Sequence, residues 1–163
     1  MPFTKGEGLS FNCQFVGGWV DISKESFNNI VREYNLADVV QAHGPKYNQE
    51  KSVFYNNADI FILPTFYRKK VFPLVLLEAM QHGLAIVSTA EGGIPDIVID
   101  EQTGFIILKK DGEGLVQKLE YLIQNPELRK KMDEEGKRRF ENLFTLKKFE
   151  QNFTNILKRA VAN

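Results

Sequence analysis

The sequence predicts an α/β protein built on an open, mainly parallel sheet with helices on its faces. Short, almost wholly apolar runs alternate with helical or turn segments roughly every 15–25 residues. The run at 59–63 (DIFIL) is almost wholly apolar, which is the pattern of a strand covered on both faces. The Gly- and Pro-rich turns fall at the carboxyl ends of these runs, where open parallel sheets place their ligands.

Taken in order, residues 1–10 are polar and Gly-containing and read as a frayed lead-in. Residues 12–16 (NCQFV) form a first strand that stops at Gly17-Gly18. Residues 23–34 carry Phe27, Ile30, Val31 and Tyr34 at helical spacing, with Ser23 or Asp21 as cap and Asn35-Leu36 as the end. A second strand at 38–42 breaks at His43-Gly44-Pro45. A short helix follows over 49–57, with Asn48 or Ser52 near its start, and then the apolar strand 59–63, stopped by Pro64. Residues 65–73 are a loop holding three consecutive cations, Arg68, Lys69 and Lys70. The helix 74–82 contains one acid, Glu78. A buried strand at 84–88, a turn and short helix over 92–100, and a strand at 104–108 come next. Three helices close the chain, over 114–124, 126–143 and 145–161. Pro126 suits a first helical turn and Thr145 a cap.

Composition narrows the functional classes. The 163 residues suit one domain, and 21 basic against 21 acidic side chains give zero formal charge, which argues against binding nucleic acid by bulk charge. The single cysteine, Cys13, excludes an internal disulfide and reads as an inert thiol among Phe11, Phe15 and Val16. No apolar run approaches the ~20 residues of a membrane span, and the N-terminal residues do not read as a signal peptide. A cytoplasmic protein is expected, with peripheral contact at the inner membrane face left open.

Among motifs that could carry chemistry, a carboxylate in a helix just after a tight loop suits a sugar hydroxyl, and Glu78 stands in that setting. Four strand ends carry backbone-exposing turns: Gly17-Gly18, His43-Gly44-Pro45, Pro64-Thr65 and Gly92-Gly93. His43 and His82 have no partners at metal-ligand spacing, so no metal site is expected. Ser88 and Thr89 lack the nucleophile-elbow pattern. The helix over 127–141 mixes both charge signs and reads as a solvated face.

These motifs, in their order and spacing, resemble a known family. Val16-Gly17-Gly18, His43-Gly44, Ala58-Asp59 before a strand ending Pro64-Thr65, Leu77-Glu78-Ala79-Met80, Gly92-Gly93-Ile94-Pro95-Asp96 and Thr103-Gly104-Phe105 resemble the C-terminal, donor-binding domain of the family 4 (group 1) retaining glycosyltransferases. The resemblance implies one Rossmann-like half of the GT-B fold, serving polysaccharide or glycan biosynthesis. It implies a UDP- or GDP-linked sugar as substrate and no separate cofactor. The donor's diphosphate would meet backbone N–H groups around Phe72, Pro73, Leu74 and Val75 at a helix start. Glu78 would accept from the ribose hydroxyls, Gly17 and Gly18 would flank the nucleotide, and the base would sit near His43-Gly44 and Pro64-Thr65. Gly92 and Gly93 complete the implied set.

The chain departs from the family pattern in two places. Where the family has the first of two glutamates, a contact to the transferred sugar, this chain has Lys70, which accepts no hydrogen bond while protonated. The family domain also opens with a strand–helix unit and follows an acceptor domain, and neither is legible in residues 1–163. A single partial domain is therefore expected, needing an N-terminal acceptor domain or a partner chain. The missing strand leaves either a gap in the sheet or direct pairing of residues 13–16 with 59–63. The Phe-rich last helix predicts an exposed apolar patch and a homodimer. The competing reading is a non-catalytic interaction module that keeps the fold without donor binding.

Overall fold

The computed structural model describes residues 9–66 and 72–161. It divides into two compact units, Met1–Asn57 and Ala58–Asn163.

In the first unit, β1 (Cys13–Phe15) pairs in parallel with β2 (Val40–Ala42), Cys13 opposite Val40 and Phe15 opposite Ala42. Between them α1 (Lys24–Glu33) starts where the Ser23 hydroxyl accepts the Ser26 N–H at 3.1 Å. It ends in a Schellman motif: Asn35 turns left-handed (φ 54°), its N–H reaches Arg32 O, and the Leu36 N–H reaches Val31 O. The expected cap and stop are both where the sequence put them. The Phe27 ring meets Phe15 edge-on at 4.9 Å and Trp19 at 5.4 Å. α2 (Asn48–Asn56) differs from expectation at its start. Its cap residue is Tyr47, which gives no side-chain hydrogen bond, and Asn48 itself sits at φ 49°. The Ser52 hydroxyl bonds back to Asn48 O instead of capping. Burial holds the Cys13 thiol above its usual range, which disfavours the thiolate.

The second unit is a three-stranded parallel sheet in the order β3-β4-β5, namely Ile60–Leu63, Ala85–Thr89 and Gly104–Ile107. All five residues of β4 are buried, which accounts for the uninterrupted apolar run in the sequence. α3 (Leu74–Gln81) buries Leu76, Ala79 and Met80. It ends in a second Schellman motif, with Gly83 at φ 68°, Gly83 N–H to Met80 O and Leu84 N–H to Ala79 O. α4 (Ile94–Ile97) is a single turn, its Ile94 and Ile97 buried. Gly104 is required by space: a Cβ there would lie 2.1 Å from the Ile86 carbonyl oxygen.

α5 (Gly112–Gln124), α6 (Pro126–Leu143) and α7 (Leu146–Val161) follow. α5 starts two residues before the expected 114, because Asp111 accepts the Gly114 N–H at 2.8 Å and caps the helix there. Pro126 does occupy the first turn of α6, and the Thr145 hydroxyl accepts the Lys148 N–H at 3.3 Å. Gly136 brings α6 against Met80 and Thr103. Arg139 donates to the carbonyls of Ile97 and Asp96, at 2.9 and 2.6 Å, and so satisfies the end of α4. α7 buries no residue, and its Phe149 and Phe153 rings stack at 5.9 Å. The expected exposed apolar patch is present.

The fold class is the expected one, with parallel strands flanked by helices. The described strands nevertheless form two sheets rather than one. The direct pairing of residues 13–16 with 59–63 is not seen among the described strands, where β1 pairs with β2 and β3 with β4.

Candidate functional site

In the second unit the strands are parallel, so their carboxyl ends lie along one edge. Three segments leave there: Pro64-Thr65-Phe66 after β3, Glu91-Gly92-Gly93 after β4 and Lys109-Lys110 after β5. Side chains of β4 tie the first two together. Ser88 donates its hydroxyl proton to Leu63 O at 2.7 Å, and Thr89 donates to Thr65 O. These hydroxyls satisfy carbonyls at the exit of β3, which is why two polar residues are buried at the end of an apolar strand. The Pro64-Thr65 turn is therefore fixed in place.

The turn after β4 is equally defined. The Glu91 N–H bonds Thr89 O at 2.8 Å and Glu91 O accepts from Ile94 N–H at 3.0 Å, with Gly92 at φ 52° between them. A side chain at Gly92 would be strained by that φ. Gly93 then serves as the N-cap residue of α4. Glu91 is a charged group only 5% exposed, and it pairs with Lys109, which is 47% exposed. Next in the chain, Lys110 takes φ 60° and holds its ammonium 5.2 Å from the centre of the Phe66 ring.

α3 supplies the remaining candidates. Pro73 is its N-cap residue and gives no side-chain cap, and Leu76 N–H reaches Pro73 O at 3.0 Å. Phe72 and Leu74 are exposed, and Pro73 is buried. With Leu76, Ala79 and Met80 facing the core, helical spacing puts Leu74, Glu78 and Gln81 on the opposite face. Glu78 is half-buried and one turn from the helix start. That end of a helix carries partial positive charge, which favours anions. Lys70 lies outside the described residues.

In the first unit the predicted turn residues come together. The Gly17 N–H donates to Gly44 O at 3.0 Å, and the His43 N–H to Phe15 O at 2.9 Å. Gly44 has φ 67°, whereas Gly17 and Gly18 have open space where a Cβ would stand. The His43 ring shares a hydrogen bond with the Gln14 side chain and lies 4.7 Å from the Phe54 ring. Gly18 is exposed beside them.

Sequence reasoning passed over Glu91 and Lys109 as site residues. The signal available was a carboxylate between a fully apolar strand and a Gly-Gly turn. Ser88 and Thr89, which lack a nucleophile pattern in the sequence, have structural work at the exit of β3. Among the described residues, no group of three His, Cys, Asp or Glu side chains could hold a metal ion. No helix there is long and apolar enough to cross a membrane.

Residues 6–139 match the family model described as glycosyl transferases group 1. The chain is 30% identical over 121 residues to WcaL of Escherichia coli K12, named as a candidate colanic acid biosynthesis glycosyltransferase. The match covers 71% of this chain and 29% of that protein. It is 35% identical over 92 residues to the capsular polysaccharide biosynthesis glycosyltransferase CapM of Staphylococcus aureus, 56% of this chain and 24% of CapM. Among solved structures, the sucrose-phosphate synthase of Thermosynechococcus elongatus superposes with a TM-score of 0.78 at 25% identity, over 91% of this chain and 38% of that one. The Anabaena protein HepE, solved in complex with UDP-glucose, has the same fold, with a TM-score of 0.78 at 15% identity over 91% of this chain and 41% of HepE. The chain thus spans about 29% of WcaL and 24% of CapM.

Proposed function

This chain belongs to the group 1 glycosyl transferases, and from that premise we propose that it binds the nucleotide-sugar donor for a retaining enzyme of polysaccharide or glycan biosynthesis. The observation that carries this reading is the placement of Glu78. It is half-buried, on the face of α3 opposite the core, and one turn from a helix start that has no side-chain cap.

In this reading the diphosphate meets the backbone at Phe72, Pro73, Leu74 and Val75, where the helix dipole favours negative charge. The Glu78 carboxylate accepts from the ribose hydroxyls through charge-assisted hydrogen bonds, which an amide would make more weakly. Pro64, Thr65, Gly92 and Gly93 offer backbone groups to the rest of the donor. In the first unit, Gly17, Gly18, His43 and Gly44 are assigned to the nucleotide. The names of WcaL and CapM support polysaccharide biosynthesis as the setting, and the HepE complexes support a UDP-linked sugar.

Sugar transfer needs donor and acceptor held together, and that alignment is a large part of the rate. This chain spans 29% of WcaL and 38% of the sucrose-phosphate synthase, and Lys70 stands where the family has a sugar-contacting glutamate. It is therefore expected to bind donor and to transfer sugar only together with an acceptor-binding domain. Titration calorimetry with UDP, GDP and UDP-glucose tests the assignment. Glu78→Ala should weaken binding by roughly 10-fold or more, the worth of a hydrogen bond to a charged group. Equal affinity in the two proteins would remove Glu78 from the site.

A second reading is favoured by one observation, the bare apolar face of α7, on which Phe149, Phe153, Ile156 and Leu157 are all exposed. In that reading the chain is an interaction module. A stable dimer in light scattering, with no nucleotide bound at millimolar concentration, would select it.

A further inference from the structure

The Glu91–Lys109 pair has no part in the reading above, yet Glu91 is one of the few charged side chains taken almost wholly out of water. Burying a carboxylate costs several kcal/mol, and pairing it with one ammonium roughly restores the balance against an apolar residue. Stability is therefore a poor reason for the pair to exist. Its geometry offers a better one.

Glu91 is the first residue of the turn that contains Gly92 and Gly93, and its own N–H and C=O make the two backbone bonds that define the turn, to Thr89 O and from Ile94 N–H. Nothing in Gly92 or Gly93 can hold a conformation by side-chain packing, and glycine has more backbone freedom to lose than any other residue. Lys109 comes from the segment after β5. Its bond to Glu91 thus ties the β4–α4 turn to the next strand's exit, across the carboxyl edge of the sheet. The other lysine of that exit, Lys110, rests over Phe66 of the β3 exit. All three strand exits are linked in this way.

We infer that Glu91 and Lys109 are positioning residues: their ion pair locks the Gly92-Gly93 turn in the form that meets the donor. The inference rests on the donor-site reading for its functional half and on the turn geometry for its structural half. Neither residue is assigned a contact with substrate.

Lys109 is the residue to change, because half of its side chain is in water; its loss leaves the buried Glu91 carboxylate unpaired, so the Val87 amide serves as the check that the sheet itself stays folded. Amide exchange, followed by NMR in the full chain, reads the lock directly through the hydrogen-bonded N–H groups of Glu91 and Ile94. In Lys109→Met these two amides should exchange at least ~10-fold faster, with the strand amide of Val87 unchanged, and Lys109→Arg should restore the original rates. UDP affinity should fall at least ~5-fold in Lys109→Met and recover in Lys109→Arg. Turn amides that exchange no faster, or that quicken only together with Val87, would overturn the lock. A loosened turn with unchanged UDP affinity would overturn its link to the donor. If the unaltered chain binds no UDP, the donor reading fails and with it the functional half, while the exchange rates still decide the structural half.

Discussion

The two units are built from the same parts and end up in different physical states. Each has parallel strands, Gly-containing turns at the strand exits and a helix closed by a Schellman motif. In the second unit Leu76, Met80, Ile86, Ile94 and Leu122 are all wholly buried. In the first, the described buried apolar side chains are Val31 and Tyr55, and the two strands are three residues long. A two-stranded sheet of that length is marginal in water, since stable sheets need a third strand or a packed face. Local signals such as caps, turns and helical spacing thus specify elements equally well in both units, and only burial separates them.

The sharpest way to break that contrast is through glycine. Gly104→Ala puts a methyl carbon into the Ile86 carbonyl oxygen, which is backbone and cannot swing aside. It should part β4 from β5 and cost about 3 kcal/mol or more. Gly17→Ala has open space and should cost under about 1 kcal/mol. Thermal and urea denaturation of the two variants checks this. Equal losses would mean that the first unit is packed more tightly than its exposed residues indicate.

A smaller effect is expected from trimming one apolar side chain in each unit. Leu76→Ala should cost about 3 kcal/mol, because the residue is wholly buried and its removal leaves a cavity. Ile30→Ala, from a helix position 44% exposed, should cost about 0.5 kcal/mol. Urea midpoints at constant slope measure both.

The smallest effect has a pH signature. Burial lifts the Asp133 carboxyl from 3.8 to about 6, against the opposing pull of Arg129 and a hydrogen bond from the Ala85 N–H, while Asp59 and Glu134 push it further up. The folded chain therefore holds this proton more tightly than the unfolded one. Asp133 costs nothing below about pH 4, costs more as the pH climbs through 6, and holds that cost above it. After allowance for solvent screening, Asp133→Asn should stabilise the second unit by about 1 kcal/mol at pH 7 and not at all near pH 4. Denaturation midpoints at the two pH values test the sign, and a gain of equal size at both would refute it.

Much of this architecture was legible in the chain. The strand at Ala85–Thr89 and the helices Pro126–Leu143 and Leu146–Val161 lie within two residues of their expected bounds. Their start signals, Pro126 in the first turn of α6 and the Thr145 cap of α7, are local. α2 likewise begins at Asn48, one residue from its expected start, but no side chain caps it, since local sequence does not say which polar side chain reaches a free N–H. The division into two sheets depends on which strands find each other, a long-range matter that strand patterns do not carry. At the candidate site, the helix that carries Glu78 was expected over 74–82 and spans Leu74–Gln81, while the face on which Glu78 lies is set by the burial of Leu76, Ala79 and Met80. The Glu91–Lys109 pair was not legible, since its partners stand on different strand exits and no local rule joins them.

β4 offers a last consequence. Every one of its five residues is enclosed on all sides, so almost any exchange there would be felt by the whole second unit. The first exposed residues after it are Ala90 and Gly92, on either side of buried Glu91. Along this part of the chain, substitutions are tolerated far better just past Thr89 than before it. Tolerance and intolerance to change thus meet within two or three residues, and a library of variants that must stay folded should begin at Ala90 and leave β4 untouched.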